Sequence, residues 1–490
     1  MTRSRSLLVA LAVVAAVAAR VPRLRYPLSP DEAGFLTVGG GWNSAGPYLY
    51  GEHWVDRPPL LITIFRLAEA TGGMVSLRVI GLLAAGMSVW LASRVARSLA
   101  GPAAAVPAAF AAALLFSTPV VANGRVDGEL LAAPFVLAGM WAAVSALHPD
   151  LTIRSASLRA ALSGAAGAGA ILVKQNFVDV VVFVGVAGLA ALIRHQLGWV
   201  RARALILGFL GGIVGAGLVI VLWSWNRGTS PAELFEAMYP FRLQAAEAIN
   251  HDSPRVLDRR ENLRWAAFLG GAIPVTLAAL PLLWKRPRPT TWALFAVIGY
   301  GGVSVAAGGS AWLHYLVQLS GPVAVVAGIA VVSFGPRGRW VLRSVLAAVL
   351  VAALVAAWVE RDVEPPAKRA EVGAAIAAVA EPNDGIVVFP FGVNIAYATG
   401  LDTRYPYLWL LPALVRDNDL ERLAATIESD DAPTWIVLTA TPSSWPGYGF
   451  SGPTDLLDDR YAEVTELCGR PLYLLRGAAR DTPVDPCGTG

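Results

Sequence analysis

Apolar residues come in long blocks along this chain, and polar residues gather between them. The blocks run for roughly 17–21 residues, the length a helix needs to cross a bilayer. After a first run from Leu7 to Ala19, they lie near Met74–Ser93, Pro102–Pro119, Glu129–Leu147, Leu158–Val173, Phe177–Ile193 and Ala204–Trp225. Four more follow, near Trp265–Trp284, Trp292–Ala307, Tyr315–Phe334 and Val341–Trp358. This predicts a polytopic α-helical membrane protein with about 11 transmembrane helices. The tract Gly164-Ala-Ala-Gly-Ala-Gly-Ala predicts close helix packing, since small residues let two backbones approach. Arg3 and Arg5 ahead of the first run suit either a cleaved signal peptide or a first span. Arg20, Arg23 and Arg25 can snorkel at the far interface and favour the span.

The pattern changes near residue 360. Glu371–Ala380 and Asn418–Glu428 have helical period. Gly385–Pro390, Thr434–Thr439, Tyr461–Leu467 and Pro471–Leu475 read as short strands. Residues 1–359 therefore form a membrane module, and 360–490 a small α/β domain. Two inter-span segments are long, 26–72 and 226–264. The second holds two amphipathic stretches, around Pro231–Tyr239 and Phe241–Ile249, that read as an interfacial helix.

Composition agrees with this division. The chain is 56% hydrophobic and 15% charged, against roughly a quarter charged in soluble domains. The net charge of +4 is mostly arginine in short loops. With the N-terminus inside, the inner loops carry Arg94 and Arg97, Arg154 and Arg159, Arg194, Arg201 and Arg203, Lys285, Arg286 and Arg288, and Arg337, Arg339 and Arg343. This is the positive-inside pattern. An odd number of spans then puts both long loops and the C-terminal domain outside. The arginine and alanine bias points to a bacterium, and the protein is expected in its cytoplasmic membrane. No basic stripe with interleaved aromatics supports nucleic-acid binding. Metalloprotease, redox, serine-hydrolase and P-loop motifs are absent, and no dinucleotide fingerprint occurs in the α/β domain. Cys468 and Cys487, outside the membrane, suit a disulfide or two free thiols.

The polar residues that matter cluster on the outer face. Ser29-Pro30-Asp31-Glu32 is a good helix start, and it also sets two carboxylates at the membrane edge. Asp56-Arg57-Pro58-Pro59 is either a local ion pair before a helix or a phosphate-binding arginine. Arg125-Val-Asp127-Gly-Glu129 offers a second acidic pair or a second cap. Lys174, His314 and Tyr315 stand at span ends on the same face.

Asp31-Glu32, then Asp56-Arg57-Pro-Pro-Leu, then Ser76-Leu-Arg-Val resembles the GT-C glycosyltransferases. Within them it is similar to the protein O-mannosyltransferase and lipid A aminoarabinose transferase group. Arg125–Glu129, Lys174-Gln175 and His314-Tyr-Leu-Val-Gln-Leu-Ser-Gly-Pro resemble further motifs of that group. The chain departs in carrying Arg57 where others often have Lys. The resemblance implies a GT-C fold with an external C-terminal α/β domain. It implies transfer of a polyprenyl-phosphate-linked sugar, with inversion, to a glycan, lipid or protein acceptor. Asp31 would be the catalytic base, with Glu32 second. Arg57, Lys174 and Arg125 would bind the donor phosphate. Asp56, Asp127, Glu129, His314 and Tyr315 would bind substrate. This chemistry requires no cofactor, names no metal ligand, and admits a divalent cation. Two readings from other classes are a lipid or solute transporter and a non-catalytic envelope assembly protein. A transporter would favour mid-membrane charges and repeated halves, neither of which is evident.

Overall fold

The computed structural model describes residues 2–43, 45–122, 124–249, 253–360, 367–439, 457 and 459–488. Among the described residues eight helices are long and apolar enough to cross a membrane, and the chain is a multi-pass membrane protein. The helices Pro254–Leu269 and Ala272–Lys285, bent by 46°, supply a ninth if they form one broken span. The bend falls at Gly271, whose φ of +92° is one that other residues rarely adopt. Two shorter apolar helices, Ala105–Ser117 and Asp179–Ile193, stand where two more spans are predicted. A count of eleven depends on both of them crossing.

Burial sorts the helices. In Leu313–Ser333, 83% of the apolar window is buried, so this helix is the centre of the bundle. In Trp199–Trp225 the share is 11%, so its leucines and valines face lipid. The glycine tract does what its composition predicts. A Cβ on Gly164 would lie 1.9 Å from the Phe209 carbonyl oxygen, and one on Gly212 equally close to that of Ala161. Helices Ile153–Val173 and Trp199–Trp225 therefore touch backbone to backbone.

The first long loop is folded. It contributes the helix Pro30–Gly40, a tight turn closed by Tyr48 and Gly51, and the start of helix Pro59–Gly72. The second long loop forms helices Pro231–Met238 and Pro240–Ala248. These have two faces. Phe235, Tyr239 and Leu243 are exposed, while Phe241 is fully buried against Trp54, ring centres 4.4 Å apart.

The C-terminal unit is a five-stranded sheet in the order β2-β1-β3-β5-β4. Its strands are β1 Gly385–Phe389, β2 Asp402–Thr403, β3 Trp435–Leu438, β4 Tyr461–Glu466 and β5 Pro471–Leu475. β2, β1 and β3 run parallel, while β5 is antiparallel to both β3 and β4. β3 is buried on both faces. Trp435 and Val437 pack with Val372, Ile376 and Ile395, whereas Ile436 and Leu438 pack with Leu423 and Ile427. That continuous apolar run is what a central strand with helices on both sides requires. β2 has two residues, too few for any period to reveal it. Cys468 and Cys487 form a disulfide with Cα atoms 5.0 Å apart.

This unit is docked on the first long loop. The Trp54 backbone N–H donates to the Pro406 carbonyl at 3.1 Å, and the Tyr397 hydroxyl to Glu69 Oε2 at 2.8 Å. Val393 and Leu408 belong to the same buried cluster as the membrane helices. The lower rim of the C-terminal unit is therefore part of the main core.

Candidate active site

Ser29 caps the helix Pro30–Gly40 through a complete capping box. Its hydroxyl accepts from the Glu32 N–H, and Glu32 Oε2 accepts from the Ser29 N–H at 2.9 Å. Glu32 is buried and does more than close the cap. Its Oε1 accepts from the Val126 backbone N–H at 2.7 Å, and both oxygens meet the guanidinium of buried Arg78. Two distant segments, at Arg78 and Val126, are thus tied to the carboxylate that closes the cap. Asp31 sits one residue earlier, half-buried, in the first turn where the helix dipole favours an anion. Its Oδ1 accepts a hydrogen bond at 3.0 Å from the Trp409 indole N–H of the C-terminal unit.

Asp56 lies between two arginines. Its Oδ1 accepts from Arg57 at 2.6 Å and its Oδ2 pairs with Arg242 at 2.7 Å. The Tyr50 hydroxyl donates to the Arg57 carbonyl at 2.6 Å and holds the backbone there. The Arg57 guanidinium lies 5.5 Å from the centre of the Phe35 ring, one turn along the helix from Asp31. Burial works against the Arg57 charge, but Asp56 and then Asp31 outweigh it and hold its pKa above the ordinary value. For Arg242 burial wins, helped by the Arg57 charge, and its pKa is lowered. Asp56 alone is ion-paired with the two guanidiniums, and among the described residues Arg242 Nε is buried without a hydrogen-bond partner.

The second acidic pair starts the helix Gly128–Ala146. Asp127 is its N-cap, accepting from the Leu130 N–H at 3.4 Å. Glu129 is buried and forms an ion pair with Lys174, whose Nζ lies 4.7 Å from the Tyr315 ring centre. His314 lies 3.9 Å from Asp127 Oδ2 and 3.8 Å from Glu129 Oε1. Burial pushes the Asp127 pKa up to about 6, against the opposing charge of His314. Tyr315 feels the charges of Glu129, Arg57, Arg242 and Asp31, so both acidic motifs and the arginine pair converge around it.

Asp127, Glu129 and His314 offer ligand atoms within 4.8 Å of one another, and among the described residues Glu129 Oε2 is buried with no hydrogen-bond partner. This donor set fits a divalent cation, in competition with Lys174 for Glu129. The other group of this kind, around Cys468 and Cys487, is closed by the disulfide.

Of the predicted residues, Asp31, Glu32, Asp56, Arg57, Asp127, Glu129, Lys174, His314 and Tyr315 come together. Arg125 adjoins them through its backbone carbonyl, to which Arg20 points at 3.5 Å. Among the described residues no hydrogen bond or ion pair reaches its side chain. Three participants have no role in the sequence reading. Arg78 could have been found as a charge inside an apolar helix. Arg242 could have been found as the charge next to Phe241 in an amphipathic stretch. Trp409 has no local signal, because it stands 378 residues from Asp31.

No family model and no curated protein matches the chain. Solved structures do, and they define its class: it has the GT-C fold, as the sequence resemblance implies. ArnT from Cupriavidus metallidurans bound to undecaprenyl phosphate matches with a TM-score of 0.64 and 17% identity, over 96% of this chain and 98% of that one. The apo oligosaccharyltransferase of Archaeoglobus fulgidus gives 0.55 and 11% identity, over 88% of this chain and 69% of that one. Arabinofuranosyltransferase AftD from Mycobacteria gives 0.53 and 17% identity, over 98% of this chain and 40% of that one. The likeness to each is one of fold.

Proposed function

We propose that the chain is an integral-membrane glycosyltransferase. It moves a sugar from a polyprenyl-phosphate carrier to a cell-envelope acceptor at the outer face of the bacterial cytoplasmic membrane. A lipid-borne donor suits that face, where nucleotide sugars are absent. The observation that carries the reading is the pair of guanidiniums, Arg57 and Arg242, sharing one ion-paired carboxylate beside Asp31. The fold shared with ArnT, which was crystallised with undecaprenyl phosphate, supports the carrier.

In this mechanism the acceptor hydroxyl attacks the anomeric carbon and gives its proton to Asp31. The bond from that carbon to the phosphate oxygen breaks, and one displacement inverts the configuration. Arg57 and Arg242 take up the charge developing on the leaving phosphate. Lys174, beside Tyr315, is the next cation within reach. A leaving phosphate needs little protonation, so one base and a cationic clamp suffice. Asp127, Glu129 and His314 orient the sugar or acceptor; a divalent cation held there would polarise the phosphate or the acceptor oxygen. Glu32, engaged by Arg78 and two backbone N–H groups, holds the helix that presents Asp31.

The test uses the purified full-length protein in vesicles with radiolabelled undecaprenyl-phosphoryl hexose and pentose. The expected result is release of undecaprenyl phosphate with label passing to an envelope fraction. Arg57→Ala should slow that release by about 10²–10³-fold, the scale of one lost charge-stabilising group. Failure of the wild-type protein to consume either donor, or an unchanged rate in Arg57→Ala, counts against the reading.

A further inference from the structure

The C-terminal unit reaches the candidate base. Trp409 comes from the segment that follows β2, and its indole engages one face of the helix Pro30–Gly40 at three successive positions. At Asp31 the indole N–H donates to Oδ1 at 3.0 Å. At Gly34 the ring fills the space a side chain would take: a Cβ there would lie 2.3 Å from the indole Cζ2. At Phe35 the two rings lie 5.3 Å apart, tilted by 39°. Positions i, i+3 and i+4 share one face of a helix, so a single indole covers the base, a matching gap and the ring on which Arg57 lies.

The segment that carries Trp409 is fixed at both ends. Upstream, the Pro406 carbonyl accepts from the Trp54 N–H, in the same loop as Asp56 and Arg57. Downstream, Trp409 is the N-cap of helix Leu410–Arg416, and Arg416 forms an ion pair with Glu236 of the second long loop. Leu408 is buried in the core of the membrane module. An indole this constrained cannot swing freely, so its N–H points at the carboxylate in a set direction.

We infer that Trp409 is a positioning residue for the transfer reaction and that the C-terminal unit is thereby part of the active site. A base must present one oxygen to the acceptor hydroxyl. A neutral donor on Oδ1 stops rotation of the carboxylate and directs Oδ2 to that task, and it adds no positive charge that would hold the carboxylate as a salt bridge. The inference rests on the assignment of Asp31 as base.

The test compares Trp409→Phe, Gly34→Ala and Asp31→Asn in the full-length protein, following release of undecaprenyl phosphate from whichever radiolabelled donor the wild type consumes. Trp409→Phe keeps a ring against Phe35 and loses the N–H. Gly34→Ala keeps the N–H and displaces the ring. Each should lower kcat by about 10- to 100-fold, the range of one hydrogen bond to a charged group. For Trp409→Phe, which keeps a ring against the Phe35 ring on which Arg57 lies, the donor KM should stay within about twofold. A purely structural role would instead lower the melting temperature and the yield of folded protein without this split. If Asp31→Asn is inactive and Trp409→Phe retains wild-type kcat, the base assignment stands and the role of Trp409 falls. If Asp31→Asn is fully active, the base assignment falls and takes this inference with it. A second readout needs no substrate. In protein labelled with fluorotryptophan, the fluorine resonance assigned to Trp409 should move in Asp31→Asn. An unmoved resonance contradicts the contact.

Discussion

Asp31-Glu32 and Asp127-Gly128-Glu129 each place two carboxylates at the start of a helix, and the protein surrounds them differently. In the first motif Glu32 collects the strong partners: buried Arg78 and the N–H groups of Ser29 and Val126. Its neighbour Asp31 accepts from an uncharged indole. In the second motif basic groups reach both carboxylates, with Lys174 on Glu129 and His314 under 4 Å from each. A neutral donor orients a carboxylate without pairing its charge. A carboxylate laced with cations is suited to holding charge in place, whether that of lysine, histidine or a metal. On the proposed mechanism, the first motif serves the chemistry and the second orientation.

The strongest way to break this comparison is to neutralise the adjacent acids one at a time. Asp31→Asn should lower transfer by about 10²–10⁴-fold, the range of a lost general base, with the melting temperature unchanged. Glu32→Gln should do the reverse in its primary effect. It leaves Arg78 buried without its counter-charge, at a cost of about 3–5 kcal/mol in stability. Thermal melts in detergent beside transfer rates would separate the two, and exchanged phenotypes would invert the assignment.

How far the sequence carries this account differs between the two motifs and the unit above them. The spans were legible because hydropathy is a long-range average, and the glycine tract because packing needs small residues whatever their order. Asp31, Arg57, Asp127 and Lys174 were legible because a charge at a membrane edge needs a reason. The division between Asp31 and Glu32 was not. Ser29-Pro-Asp-Glu reads as a cap, and the sequence has no way to show that Arg78 and Val126 fold back onto Glu32. Trp409 was hidden because its contact with Asp31 exists only after segments far apart in the chain are brought together. The two-residue β2 was hidden because it is too short to set a period, and the bend at Gly271, inside the predicted span Trp265–Trp284, because hydropathy averages across it.

The second motif can be sharpened by pH. Asp127 has a folded-state pKa of about 6, above its ordinary 3.8. Its contribution to stability is therefore complete below pH 3.8 and is lost as pH rises through about 6. The change should be on the order of 3 kcal/mol. Asp127→Asn keeps a good cap and removes the titration, so its stability should be flatter across that window. Identical pH profiles would mean that Asp127 is not the group that titrates. The smallest effect expected is from Ser29→Ala, which removes one half of the capping box. It should cost about 1 kcal/mol of stability and change transfer by less than about threefold, because Glu32 still fixes the helix.

The most direct measurement is a single-turnover experiment on Asp31→Asn loaded with radiolabelled donor, following cleavage of the bond between sugar and phosphate. The account predicts that the variant binds donor as the wild type does, through Arg57 and Arg242, and cleaves it at least about 10²-fold more slowly. Cleavage at the wild-type rate, with acceptor present and the variant correctly folded, would contradict it.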